Sequence, residues 1–159
     1  MNKHILASLG YLELGMTKEA WEELEIIPQL YRHHPHVLRQ KVEICRCIAK
    51  WNEMSEIANL LVNIEPDKPD HWISLAWGQR RSVGLDEAEK TLLAALKLFP
   101  KEATIYFNLA CYACKQDRLE EARRLLKRAI ELEPTFKKTA FLDEDLEAIR
   151  ESSGISPIG

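Results

Sequence analysis

A fixed spacing of 34 residues constrains this chain more than any single motif does. Pro66, Pro100 and Pro134 stand 34 apart, each closing a run of helical character (LVNIEP, LKLFP, IELEP). Proline stops such runs because it lacks an amide proton and its ring strikes the preceding turn. The same ruler passes through Ala20, Met54, Ala88 and Ala122, then Leu24, Ala58, Leu92 and Leu126, then Ile27, Leu61, Ala95 and Ala129. These positions are apolar. A period of this size marks stacked supersecondary units, none of which buries its apolar surface alone. Counting from Met1, the units are 1–34, 35–68, 69–102 and 103–136, leaving 137–152 as a closing helix and 153–159 as a loose tail.

Each unit divides into two helical patterns of roughly a dozen residues. The breakers between them are Gly15 in the first unit, Val83-Gly84 in the third and Gln116-Asp117 in the fourth. In the fourth, Tyr106, Leu109, Ala110 and Ala113 make one apolar stripe, and Leu119, Ala122, Leu125, Leu126 and Ala129 make the second. Small residues at unit positions 8 (Ser8, Ala76, Ala110) and 20 (Ala20, Ala88, Ala122) let the paired helices approach. Helices in this order give an all-α fold of hairpins. Phe136, Phe141, Leu142, Leu146 and Ile149 are expected to cover the last hairpin, with Asp143 starting a helix.

Composition narrows the chemistry. Twenty-two Lys and Arg against 25 Asp and Glu give a formal charge of −3, which leaves no general surplus for polyphosphate. Only six Gly occur, with no G-x-G-x-x-G or G-x-x-x-x-G-K, so the usual phosphate loops are missing. The run from Ile5 to Leu12 ends at Glu13 without a cleavage site, and no apolar segment is long enough to span a bilayer. Cys45, Cys47, Cys111 and Cys114 read as reduced packing thiols, and the expected location is cytoplasmic. His33, His34 and His36 flank Pro35 in a turn without fixed ligand spacing, so no metal or other cofactor is expected. No nucleophile–base grouping emerges, and the paired acids read as solvated helix faces, so catalysis is not expected.

The pattern resembles the tetratricopeptide repeat, which sets large, Leu, small, aromatic, small, large, small and Pro at positions 4, 7, 8, 11, 20, 24, 27 and 32. The third unit supplies Trp72, Leu75, Ala76, Ala88, Leu92, Ala95 and Pro100, and the fourth Tyr106, Leu109, Ala110, Ala122, Leu126, Ala129 and Pro134. The first matches through Tyr11, Gly15, Ala20 and Leu24; the second departs, with Lys41 at position 7 and Met54 at position 20. The closing segment FKKTAFLDEDLEAIRES is similar to that of bacterial members. The resemblance implies a right-handed superhelix (α-solenoid) of four hairpins plus a C-terminal capping helix. It also implies a ligand groove lined by the first helix of each unit.

Carried over by position, that groove comprises Arg39, Glu43, Arg46, Ile73, Trp77, Arg80, Arg81, Phe107, Cys111 and Lys115. Trp77 and Phe107 are its candidate exposed anchors, and its arginines favour an acidic or carboxylate-bearing segment. The positions that hold acidic chaperone tails in this family carry other residues in both frames, Ile5, Leu9, Gln40, Asp70 and Ser74 or Arg39, Glu43, Ser74, Thr104 and Asn108, so no chaperone-tail clamp is expected. The functional expectation is a non-catalytic adaptor or scaffold for a protein or peptide partner. The alternative is self-association through Ile5, Leu6, Leu9 and Leu12, which have no preceding hairpin to cover them. An RNA-binding helical repeat is disfavoured by the net charge and by the unlike residues Ile5, Arg39, Ile73 and Phe107 at base-reading positions.

Overall fold

The computed structural model describes residues 1–150; the end of the expected closing helix and the expected tail lie outside them. The described residues are all helical or irregular, with no strand among them. Eight helices follow one another along the chain: α1 (Asn2–Glu13), α2 (Thr17–Glu25), α3 (Pro35–Cys47), α4 (Trp51–Ile64), α5 (Pro69–Ser82), α6 (Leu85–Leu98), α7 (Ala103–Lys115) and α8 (Leu119–Leu132), with α1 packed on α2, α3 on α4 and α7 on α8 as hairpins. The starts at Pro35, Pro69 and Ala103, and at Trp51, Leu85 and Leu119, keep the 34-residue step. Proline opens α3 and α5 at the position where a missing amide costs no helical bond. The chain divides into two compact bodies, Met1–Ala88 and the residues from Glu89 onward.

The turn inside each hairpin is one hydrogen bond repeated four times. The amides of Met16, Lys50, Gly84 and Arg118 donate to the carbonyls of Tyr11, Cys45, Gln79 and Ala113, at 2.8, 2.9, 2.9 and 2.9 Å. This is the six-to-one closure of a helix C-terminus, which calls for a left-handed residue beside it. Gly15 (φ 74°), Ala49 (φ 57°) and Asp117 (φ 61°) supply it in three hairpins, and Gly84 (φ 143°) carries the positive φ in the third. Ala49 shows why the second turn lacks a visible breaker: an ordinary residue takes the left-handed conformation there.

In the first body, α3 serves two cores. Val37 and Ile44 join Ala20, Leu24 and Ile27 of the first hairpin. Leu38, Val42 and Cys45, on its other side, join Met54, Ala58, Leu61 and Val62 of α4 and Leu75 of α5. The second hairpin therefore keeps the common register despite Lys41. That side chain lies along Trp21, its ammonium 4.7 Å from the ring and 2.6 Å from Glu25. The first hairpin is the irregular one. Pro28 cuts α2 short, a 3₁₀ turn follows at Gln29–Tyr31, and Arg32 donates to the carbonyls of Ile27 and Glu25 at 3.0 and 2.7 Å.

The period-setting prolines also accept a repeated bond. Trp72 Nε1–H donates to the Pro66 carbonyl and Tyr106 O–H to the Pro100 carbonyl, both at 3.0 Å. The aromatic at position 4 thus ties the starts of α5 and α7 to the linkers before them.

In the second body, α7 is buried nearly all round, from Ala103 to Cys114. The closing segment differs from the single helix expected at 137–152. It is α9 (Phe136–Leu142), a 3₁₀ turn at Glu144–Leu146 and α10 (Glu147–Arg150). Asp143 leaves the helical region (φ −81°, ψ 118°) and its side chain accepts the Asp145 amide at 2.9 Å, which restarts the chain in a new direction. The bend lets Ala140, Leu146 and Ile149 all become fully buried.

Gly78 marks a close approach of α5 to α4. A Cβ there would stand 2.5 Å from Ser55 Oγ and 3.0 Å from the Ser55 backbone nitrogen. Gly78→Ala is expected to destabilise the first body by about 1–3 kcal/mol, despite alanine's better helix propensity. Urea unfolding followed by tryptophan fluorescence measures this, since Trp21, Trp51, Trp72 and Trp77 all lie before residue 89. The loss should persist in a Ser55→Ala background, because the backbone contact remains.

Candidate functional site

The two bodies treat the same unit positions in opposite ways. In the first, α3 and α5 bring Arg46, Trp77 and Arg81 together at the surface. Trp77 is 39% exposed, a large fraction for an indole. The Arg46 and Arg81 guanidinium carbons lie 5.7 and 5.9 Å from its ring centroid, and Arg81 is also 4.7 Å from the Trp51 ring. Cations over indole faces at these distances are attracted by the ring quadrupole. Arg46 further donates to Glu43 at 2.7 and 3.0 Å. Beside this group lies an open hollow of about 490 Å³ lined by Lys50, Trp51, Asn52, Glu53, Arg81 and Ser82.

The remaining expected positions on these helices are already engaged. Arg39 donates to Glu65 at 2.7 Å, and the same carboxylate oxygen lies 2.9 Å from Nε2 of His71, a buried histidine. The His71 hydrogen bond, and then Arg39, hold the Glu65 carboxyl below the usual glutamate range. Arg80 is half-buried and has a partner of its own, and Ile73 is half-buried.

In the second body the groove positions are covered. Phe107 is buried and stacked on Phe136, with ring centroids 4.7 Å apart, so it is not an exposed anchor. Cys111 is buried beneath the closing segment, 3.9 Å from Asp143 Oδ2, and Lys115 pairs with Asp145 at 3.1 Å. The reason is the bent end of the chain, which folds onto the face that position counting alone leaves open. Of the four residues expected to drive self-association, Ile5 and Leu12 pack against the core of the first hairpin. Leu6 and Leu9 stand 68% and 42% exposed.

Sequence reasoning missed Trp51 as a member of the surface group. Its place at the first position of α4, one hairpin away from Arg81, carries no signal in the linear pattern. Burial first, then Glu53, push the Cys45 thiol up to about 12, and burial also raises Cys114.

A sequence profile for the tetratricopeptide repeat matches residues 103–136. The anaphase-promoting complex subunit CDC16 of Saccharomyces cerevisiae is 28% identical over 147 residues, covering 85% of this chain and 17% of that protein. This chain thus spans about a sixth of that relative's length. Among solved structures, a MamA crystal structure superposes with a TM-score of 0.77 at 14% identity, over 97% of this chain and 82% of the other. MamA from Desulfovibrio magneticus RS-1 gives 0.74 at 16%, over 83% and 75%. TTC0263, a thermophilic protein of this repeat type from Thermus thermophilus, gives 0.73 at 17%, over 97% and 83%. At such identities the likeness shows the fold, an all-α solenoid.

A carboxylate with a lowered pKa adds stability above its unfolded value, and that stability disappears as pH falls through the folded value. The urea midpoint of the first body should therefore fall as pH drops below about 4. Glu65→Gln should make this acid limb shallower in the same tryptophan-fluorescence titration; an unchanged slope would remove the Arg39–Glu65–His71 network from the account.

Proposed function

The chain is a tetratricopeptide-repeat protein, and from that premise we propose that it is a non-catalytic adaptor that holds an acidic segment of a partner protein against α3 and α5. Protein–protein interaction is the role that such repeats support. The observation that carries the finer reading is the exposed Trp77 set between the guanidinium groups of Arg46 and Arg81. Tryptophan and arginine dominate binding energy where they occur in interfaces, since one buries a large apolar face and the other pairs two oxygens at once.

The chemistry of the group favours an acidic ligand over a neutral one. An exposed ion pair such as Arg46–Glu43 contributes about 0–1 kcal/mol, so a ligand carboxylate can displace Glu43 at small cost. Arg81, held over two indoles, offers its edge to an incoming carboxylate. No described helix is long and apolar enough to cross a membrane, in keeping with a partner met in water.

A second reading rests on a separate observation. Leu6 and Leu9 project from α1 into solvent, and a second copy of the chain offers an apolar face to cover them.

Short acidic peptides, arrayed beside neutral counterparts of the same length, test the first reading. The double variant Trp77→Ala with Arg81→Ala should bind acidic peptides at least about 30-fold more weakly, the effect of losing roughly 2 kcal/mol. Its far-ultraviolet circular dichroism should match the parent. Equal affinity in parent and variant would refute the assignment. For the second reading, sedimentation velocity should show association that rises with concentration and is abolished by Leu6→Glu with Leu9→Glu; a monomer at all concentrations removes it.

A further inference from the structure

The second body gathers a set of ligating atoms that no binding role has yet used. The Cys111 sulfur and one carboxylate oxygen each from Asp143 and Asp145 lie within 4.8 Å of one another. They come from two elements, the middle of α7 and the bend that starts the Glu144–Leu146 turn. Cys111 is 3% exposed, and its sulfur stands 3.9 Å from Asp143 Oδ2. Asp143 is fixed in orientation because its Oδ1 accepts the Asp145 amide and its carbonyl accepts from Arg150 at 3.2 Å. Lys115 stands 3.1 Å from Asp145 Oδ1.

We propose that Cys111, Asp143 and Asp145 form a site for a divalent cation of the zinc class, which clamps the closing segment onto α7. The spacing fits such an ion. Zinc binds sulfur at about 2.3 Å and carboxylate oxygen at about 2.0–2.2 Å, so tetrahedral neighbours stand roughly 3.4–3.6 Å apart. The Cys111–Asp143 separation needs to close by a few tenths of an ångström, and no pair by more than about 1.4 Å. Water fills the fourth position.

Charge and donor type point the same way. One thiolate and two carboxylates carry three negative charges, which a divalent ion and the Lys115 ammonium together balance. A sulfur ligand selects a borderline cation such as zinc or cobalt over magnesium or calcium, which take oxygen. On binding, the Cys111 S–H bond breaks, its proton leaves to solvent and a sulfur–metal bond forms, with no change of oxidation state. The site lies in the body that does not contain Trp77, so it stands or falls apart from the peptide reading.

Cobalt(II) titration of the reduced full chain tests the site through the near-ultraviolet charge-transfer band that only a thiolate–cobalt bond gives. The parent should bind one ion with this band, zinc should displace the cobalt, and zinc should raise the melting temperature of the parent by preferential binding to the folded state. Cys111→Ser should lose the band, and Asp145→Asn should weaken binding at least about tenfold. A variant with His33, His34 and His36 changed to Gln should behave as the parent. Absence of the band in the parent, or its survival with unchanged affinity in Cys111→Ser, overturns the proposal. Should Cys111→Ser fail to fold, unchanged cobalt affinity in Asp145→Asn overturns it equally.

Discussion

A helix that must be covered on two sides at once is the constraint from which the rest of this architecture follows. Helix α3 makes it visible, with Val37 and Ile44 committed to the hairpin before it and Leu38, Val42 and Cys45 to α4 and α5 after it. Each fully buried aliphatic side chain contributes about 1.5–3 kcal/mol relative to exposure, and a lone hairpin forfeits the part that its neighbour covers. Where a neighbour is present the demand is met: α7 is enclosed on almost every side. On α1 it is not, and Leu6 and Leu9 remain in water.

The turns have to reverse the chain between the two helices of each unit. One backbone bond, from position 16 to position 11, does so in all four hairpins. Gly15, Ala49 and Asp117 take the left-handed step beside this bond, and Gly84 carries the positive φ in the third turn. Glycine fits there without strain, whereas Ala49 and Asp117 adopt a conformation that costs an ordinary residue roughly 1–2 kcal/mol. The repeated turn bond is made at both positions all the same. The aromatic bonds from Trp72 and Tyr106 to the proline carbonyls fix the starts of α5 and α7 in the same manner.

Equivalent positions acquire different chemistry once their surroundings differ. Position 9 is Glu43 in an exposed ion pair, Trp77 as a half-exposed ring between arginines, and Cys111 as a buried thiol. Position 13 is Arg81 over two indoles in one body and Lys115 tied to the closing segment in the other. The exposed arginine–tryptophan group therefore occupies the first body, while the matching face of the second is given over to closing the fold and to a cluster of thiol and carboxylate donors.

The 34-residue step, the helix starts at Pro35 and Pro69 and the small buried residues Ala20, Ala88 and Ala122 were all legible in the linear chain, because periodic burial leaves a periodic pattern of apolar residues. Trp77 and Arg81 were legible too as members of one helix face. Tertiary structure alone decided that Phe107 is stacked under Phe136, that Trp51 joins the arginine–tryptophan group, and that Cys111 meets Asp143. These facts depend on where a bend redirects the chain and on contacts between residues up to 32 positions apart. Periodicity records which side of a helix is covered; it holds no information about which segment covers it.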